Sequence, residues 1–372
     1  MPRDLADHLS QRALGVDASG IRRVFDLAAK LKDPINLSIG LPDFDVPDEA
    51  KDVACEAIRR GDNRYTPTQG IAPLRERLAL DLQRPADELF ITSGVSGGLF
   101  LSILSTVNPG DEVVFLDPYF VMYKHLVTLA GGVPVPVDSY PSFRFDADRV
   151  EAAITPKTKL LVLNTPSNPT GVTMTEAEVR AAADLARKHD LLVVSDEIYV
   201  PFLYGEAATV PSITELYEKT ILLRGFSKTY GMTGWRLGYA AGPKAIIEQM
   251  IKLQQYTFVC APTPFQHAAL RALDLDVSGH VAAYRRKRDI VVETLGNDFD
   301  LTIPDGAFYA FPKVPERLGM TATQFCERML EKNVLVIPGN VFSSRDSHFR
   351  ISFATTDDRL AHGCRLLAEA TV

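Results

Sequence analysis

From about residue 90 onward, short apolar runs alternate with segments whose apolar residues recur at helical spacing. DEVVFLDP at 111–118, TKLLVLN at 158–164, LLVVSDE at 191–197, TILLRG at 220–225 and RLGYAAG at 236–242 are too short to be buried helices, so they predict strands. A further strand at about 88–91 feeds TSGVSGG, which opens a helix over 94–107. TMTEAEVRAAADLARKHD lies between the strands at 158–164 and 191–197. It predicts an amphipathic helix with a capping-box start at Thr175 and Glu178. The strand runs are apolar throughout rather than alternating, as expected for a largely parallel sheet covered by helices on both faces.

The rest of the pattern extends this α/β core. Ile21, Val24, Phe25, Ala28 and Leu31 share one helical face, which predicts a helix over 19–33 with Ser19 as its N-cap. GLPDFDVP at 40–47 reads as an ordered loop. SGHVAAYRRKRDIVVETL at 278–295 predicts one long helix whose basic run, Arg285 to Arg288, is expected on a solvated face. Beyond it the rhythm changes to short strands and helices, ending in HFRISFATT at 348–356. This implies a large domain at 40–279 and a smaller α+β domain built from 1–39 and 280–372. A chain of 372 residues is too long for one small core, which agrees with that division.

Composition narrows the partners. With 46% hydrophobic and 23% charged residues the chain is an ordinary globule, and a net charge of −7 argues against nucleic acid or an anionic membrane surface. A local positive pocket for small anions is compatible with that balance. Cysteines at 55, 260, 326 and 364 form no CxxC pair, and no HExxH occurs, so neither a metal site nor a disulfide framework is expected. The N-terminal MPRDLADHLS lacks the apolar core of a secretory signal, and no apolar run reaches membrane-spanning length. A cytoplasmic protein is expected, in which the sequon at Asn36 is fortuitous.

The chemistry gathers at strand ends, where open parallel sheets bind their ligands. The strand at 158–164 runs into NTPSNPTG, the next into Ser195-Asp196-Glu197 and Tyr199, and the strand at 220–225 into Ser227-Lys228. The Gly-Ser turn opening the helix at 94 suits a phosphate, because first-turn N–H groups and the helix dipole point at it. No GxGxxG follows a strand and no GxxxxGK[ST] occurs, so dinucleotides and nucleoside triphosphates lack their fingerprints. Add Arg236 and Arg350, and these residues suit one ligand with a phosphate, a ring nitrogen, an aldehyde and a carboxylate. Pyridoxal phosphate meeting an amino acid has all four.

GFSKTYGMTGWRLGY, SDEIY and NTPSNPTG resemble the motifs of the class I/II aminotransferases among fold-type I pyridoxal-phosphate enzymes. The resemblance runs from GLPDFDVP at 40 to FRISFA at 354. It implies a mostly parallel seven-stranded sheet between helices plus a small α+β domain. It also implies a homodimer with shared active sites, and transfer of an amino group from an L-amino acid to a 2-oxo acid in a ping-pong sequence. Lys228 resembles the lysine that binds the cofactor aldehyde as a Schiff base, and Asp196 the partner of the pyridine nitrogen. Tyr199 and Asn168 resemble the pair that holds the phenolic oxygen. Arg236, Ser227 and the N–H groups of Val95 and Ser96 match the phosphate site, and Phe120 the ring that stacks on the pyridine. Tyr65 matches a tyrosine that reaches the neighbouring subunit's phosphate. Arg350 resembles the arginine that grips the substrate carboxylate, with Gly40 nearby and Asn168 also facing the substrate.

Some positions depart from the common pattern. Gly225 stands where many members have serine, Leu41 where glutamate is frequent, and Ser343 where glycine often follows PGxxF. At this level the donor stays open, with aspartate or a broad range favoured by family frequency. Two other activities remain: β-elimination, as in carbon–sulfur lyases, and a sensor that binds the cofactor without turnover.

Overall fold

The computed structural model describes residues 5–18, 20, 31–204 and 210–371. Most of the helix expected over 19–33, with its Ser19 cap, lies outside these. The first described strand, β1 (Ile35–Asn36), belongs to a small sheet considered below. The central sheet consists of β2 (Leu89–Ser93), β3 (Glu112–Asp117), β4 (Val133–Asp138), β5 (Thr158–Asn164), β6 (Leu192–Asp196), β7 (Thr220–Gly225) and β8 (Leu237–Ala241). Its order is β2-β8-β7-β6-β5-β3-β4. All neighbours are parallel except β8, which is antiparallel to both β2 and β7. The fold is therefore α/β, with the mostly parallel seven-stranded sheet that the resemblance implies.

The apolar runs are explained by burial on both faces. In β5, Leu160 and Val162 pack with Leu99, Ile103 and Met250 of the helices Gly94–Thr106 and Lys244–Thr257. Leu161 and Leu163 pack on the other side with Val179 and Ala182 of the helix Glu176–Lys188. Each such side chain contributes about 2 kcal/mol on leaving water. The capping box at Thr175 forms as expected, with both reciprocal hydrogen bonds present.

One strand of the central sheet escaped the sequence pattern. β4 reads VPVPVD, and two prolines ordinarily rule out a strand. It lies at the sheet edge and pairs only with β3. Pro134 and Pro136 are two residues apart, so both missing N–H groups face the same, unpaired side, while Val133 donates to Asp111.

Two further sheets lie outside the central one. β10 (Val334–Leu335) pairs in parallel with β1, and β11 (Ile337–Pro338), β12 (Phe349–Ser352) and β9 (Tyr309–Ala310) form an antiparallel set. β1, β9, β10 and β12 share a core with the helices Ser278–Leu295, Ala322–Glu331 and Asp357–Glu369, while Ile337 of β11 packs with Phe311 and Phe342. Tyr199, Phe202 and Tyr204, which follow β6, insert into that same core and tie the central sheet to it.

The helix at 278–295 forms over the expected residues, but its basic run is not one solvated face. Arg285 and Arg286 are exposed, whereas Lys287 is buried in an ion pair with Asp43. The Asp43 N–H donates to Tyr284 Oη at 3.2 Å, and Phe44 stacks on His280 with centroids 3.7 Å apart. The helix thus spends a charge and two aromatic rings on fixing the loop at 43–44, a partner 244 residues away that local patterning cannot foresee.

Candidate functional site

Parallel strands in register bring their carboxyl ends level. Asn164 at the end of β5 pairs with Asp196 at the end of β6, and Asp196 pairs with Leu223 of β7. Two residues after Leu223, β7 gives way to a single helical turn, Phe226–Thr229, that carries Ser227 and Lys228. Asn164 Nδ2 donates to the Asp196 carbonyl at 3.0 Å, and Asn164 Oδ1 accepts from the Asn168 N–H at 2.9 Å. The NTPSNPTG loop is thereby fixed to the strand beside it.

These ends open onto a cavity of about 310 Å³. Every candidate residue except Tyr65 lines it. Lys228, Arg236 and Arg350 bring three cations to its wall, against the single carboxylate of Asp196. A strongly positive pocket thus sits inside a molecule of net charge −7. Tyr65 is 83% exposed and stands outside, so it contributes nothing to the cavity of its own chain.

The charges perturb one another. Lys228 donates to the Gly40 carbonyl at 2.5 Å. Burial, then the charges of Arg350 and Arg236, bring its amine down to about 8 against the opposing pull of Asp196. Asp196 is buried, and loss of hydration raises its carboxyl to about 6. The rise is limited by Tyr123, whose hydroxyl donates to Asp196 Oδ2 at 2.8 Å, and by the Ile198 N–H.

Arg350 lies on β12 and is only 2% exposed. Nη1 donates to Asn168 Oδ1 at 2.9 Å and Nη2 to the Ser38 carbonyl at 2.6 Å, while Nε is buried with no partner among the described residues. The guanidinium is held between the rings of Tyr309 and Phe342, at 4.6 and 4.7 Å from their centroids. An arginine so enclosed keeps its fork in one plane and direction, as recognition of a carboxylate requires.

The opposite end of the cavity is shaped for an anion. Ser93 precedes the helix Gly94–Thr106 without a side-chain capping bond, so the first-turn N–H groups of that helix remain available. Gly94 has φ +68°, and a Cβ there would fall 2.7 Å from Arg236 Nη2. Only glycine lets the guanidinium come this close to the helix start. Pyridoxal phosphate, the cofactor implied by the resemblance, fits this set: a cradle for phosphate, an amine for the aldehyde and a buried carboxylate for the ring nitrogen.

Sequence reading passed over three participants. Tyr123 lies three residues past Phe120, but nothing local says that its hydroxyl meets residue 196. Tyr309 bonds Tyr199, hydroxyl to hydroxyl, at 2.8 Å from 110 residues away. Glu197 accepts from Ser195 and Ser212 hydroxyls at 2.9 and 2.6 Å and from Arg224 Nε and Nη2 at 2.9 and 2.6 Å. This ion pair clips the end of β6 to β7 directly behind Asp196 and Lys228.

Known proteins resemble the chain over nearly its whole length. The family described as "Aminotransferase class I and II" matches residues 32–367. An aspartate aminotransferase of Pyrococcus abyssi is 39% identical over 372 residues, covering 95% of each chain. An aromatic-amino-acid aminotransferase of Thermococcus litoralis is 38% identical with the same coverage. Among solved structures, the Thermus thermophilus aspartate aminotransferase with maleate superimposes with a TM-score of 0.93 at 36% identity, covering 97% of this chain and 99% of that one. These relatives bear aminotransferase names, which favours transamination over elimination or mere sensing.

Proposed function

The chain belongs to the class I and II aminotransferases and is a pyridoxal-phosphate-dependent transaminase; from that premise we propose that Lys228, Asp196, Tyr199 and Arg350 carry its reaction, and that its donors range from aspartate to aromatic amino acids. The observation that carries this reading is one cavity holding a lysine amine lowered to about 8, a buried carboxylate and an enclosed arginine fork.

When bound, the cofactor supplies an aldehyde to take up the amino group and a ring that draws electrons from the α-carbon. Arg236, Ser227 and the Val95 and Ser96 N–H groups hold its phosphate. Phe120 packs against its ring, and Asn168 and Tyr199 meet its phenolic oxygen. Asp196, with its affinity for protons raised by burial, keeps the proton on the ring nitrogen. Arg350 takes the substrate carboxylate, giving up the Ser38 carbonyl, with the Gly40 backbone beside it. Lys228 Nζ removes the α-proton and returns it on the other side of the reaction, a task for a base that is neutral near physiological pH.

The donor range is supported by the rest of the wall. Leu41, Val95, Leu99 and Phe120 present apolar surface, and among the described residues no cation beyond the three already assigned lines the cavity. The names of the relatives, aspartate and aromatic aminotransferases, point the same way. We also propose a homodimer in which exposed Tyr65 serves the neighbouring chain's phosphate site. A reducing, cytoplasmic location fits four unpaired cysteines. Among the described residues, no helix is long and apolar enough to cross a membrane.

The test is the visible spectrum of the cofactor-loaded protein as single L-amino acids are added without an oxo acid. Aspartate and phenylalanine are expected to bleach the band. A band that persists with every amino acid contradicts transamination, and release of ammonia and an oxo acid with no acceptor present means elimination. Arg350→Lys is expected to raise KM for donors roughly 100-fold by removing the planar fork. Unchanged KM in steady-state assays would place the carboxylate elsewhere.

A further inference from the structure

Tyr309 touches the machinery at three points and has no role assigned above. Its hydroxyl bonds Tyr199 Oη at 2.8 Å, and its ring lies under the Arg350 guanidinium at 4.6 Å. Its Oη also stands so close to Gly40 that a Cβ at residue 40 would collide with it. Both tyrosines are buried.

Two hydroxyls joined by one hydrogen bond have one proton between them. A Tyr199 that donates into the cavity has no proton left for Tyr309, so Tyr309 must then be the donor between them. Arg350 favours that direction. Burial pushes both phenols up and the Arg350 charge opposes that at each, but the guanidinium lies directly over the Tyr309 ring, 4.6 Å from its centroid. That close cation favours Tyr309 as the donor of the pair. A hydroxyl that accepts a hydrogen bond is polarised and gives a stronger one.

We infer that Tyr309 is a positioning residue that donates to Tyr199, strengthens the hydrogen bond Tyr199 gives to the phenolic oxygen of the cofactor, and mechanically joins that bond to the Arg350 fork. This rests on the reading of Tyr199 above. Loss of the Tyr309 hydroxyl stabilises the phenolic anion less, so the visible band of the loaded protein titrates at higher pH. The aromatic ring that Tyr309→Phe retains still supports Arg350, so donor KM changes little.

The experiment is a spectrophotometric pH titration of the protein loaded with pyridoxal phosphate, as wild type, Tyr199→Phe, Tyr309→Phe and the double variant. Tyr199→Phe is expected to raise the apparent pKa by about one or more, and Tyr309→Phe to raise it by roughly a third to a half as much. The double variant is expected to match Tyr199→Phe alone, because Tyr309 acts only through Tyr199. If Tyr199→Phe shifts the band while Tyr309→Phe does not, or if the two shifts add, the inference is overturned and the reading of Tyr199 stands. If Tyr199→Phe leaves the band unmoved, that reading fails and takes the inference with it. Should Tyr309→Phe not fold, Gly40→Ala displaces the same hydroxyl and is expected to raise the pKa; no shift there overturns the inference equally.

Discussion

Lys228→Ala is expected to lower turnover by roughly four orders of magnitude or more while leaving the fold intact. In the proposed mechanism the substitution removes both the group that meets the cofactor aldehyde and the base that moves the α-proton, which no neighbour can replace. Arg236 and Arg350 cannot deprotonate, and Asp196 lies on the ring-nitrogen side of the proposed arrangement. Full activity in a steady-state assay would sink the mechanism.

The same change is expected to stabilise the unloaded protein. A lysine whose pKa falls from 10.5 to about 8 binds its proton less tightly folded than unfolded. Stability from this group therefore rises with pH between about 8 and 10.5, and below 8 the folded state bears the full cost of the buried charge. With the partial exposure of the side chain allowed for, that cost is on the order of 2 kcal/mol. Asp196 loses a charge partner in the variant, which keeps the gain small, so the unloaded Tm is expected to rise by roughly 1–3 °C. In the proposed role the neutral amine is the nucleophile. Cofactor capture by wild type should thus speed up about tenfold per pH unit and level off above 8. A flat profile in stopped-flow absorbance would remove Lys228 from that role.

Asp196→Ala is expected to weaken cofactor binding and to slow α-proton abstraction at least about a thousandfold, far more than Glu197→Ala does. The two carboxylates are adjacent in sequence and both buried, but they face different partners. Asp196 lines the cavity and accepts from Tyr123 and the Ile198 N–H. Glu197 points away from it, with all its acceptor capacity taken by Arg224, Ser195 and Ser212. Glu197→Ala strands the Arg224 charge and is expected to lower stability by about 3 kcal/mol, with a smaller effect on chemistry in the molecules that fold. Equal effects in single-turnover measurements on folded protein would mean the ring nitrogen has the other partner. Asp196 also carries a pH signature of its own. Its pKa is raised from 3.8 to about 6, so its contribution to stability is full below pH 3.8 and is lost as pH rises through 6.

How much of this was legible beforehand depended on the distance over which each signal acts. Strands β3, β5, β6 and β7, the helix at 176–188 with its cap and the residues at the strand ends were readable, because hydrophobic period and turn chemistry are written in neighbouring residues. The motifs around Lys228 and Asp196 were readable for the same reason. β4 was not, since its prolines are tolerable only at a sheet edge, and edge position is a property of the assembled sheet. The basic run at 285–288 was misread for Lys287, because burial of that charge depends on Asp43 arriving from the other end of the chain.

The sequence alone determined the α/β class, the order of the strand-end residues and the set of groups that suit a phosphate, an aldehyde, a ring nitrogen and a carboxylate. Tertiary structure decided what those groups are. It brings three cations and one carboxylate around a single cavity, and that proximity lowers Lys228 and raises Asp196. It also encloses Arg350 between two rings and sets Tyr309 against Tyr199. Burial, charge coupling and hydrogen-bond direction depend on separations in space of a few ångströms between residues far apart in the chain, and no local pattern encodes them.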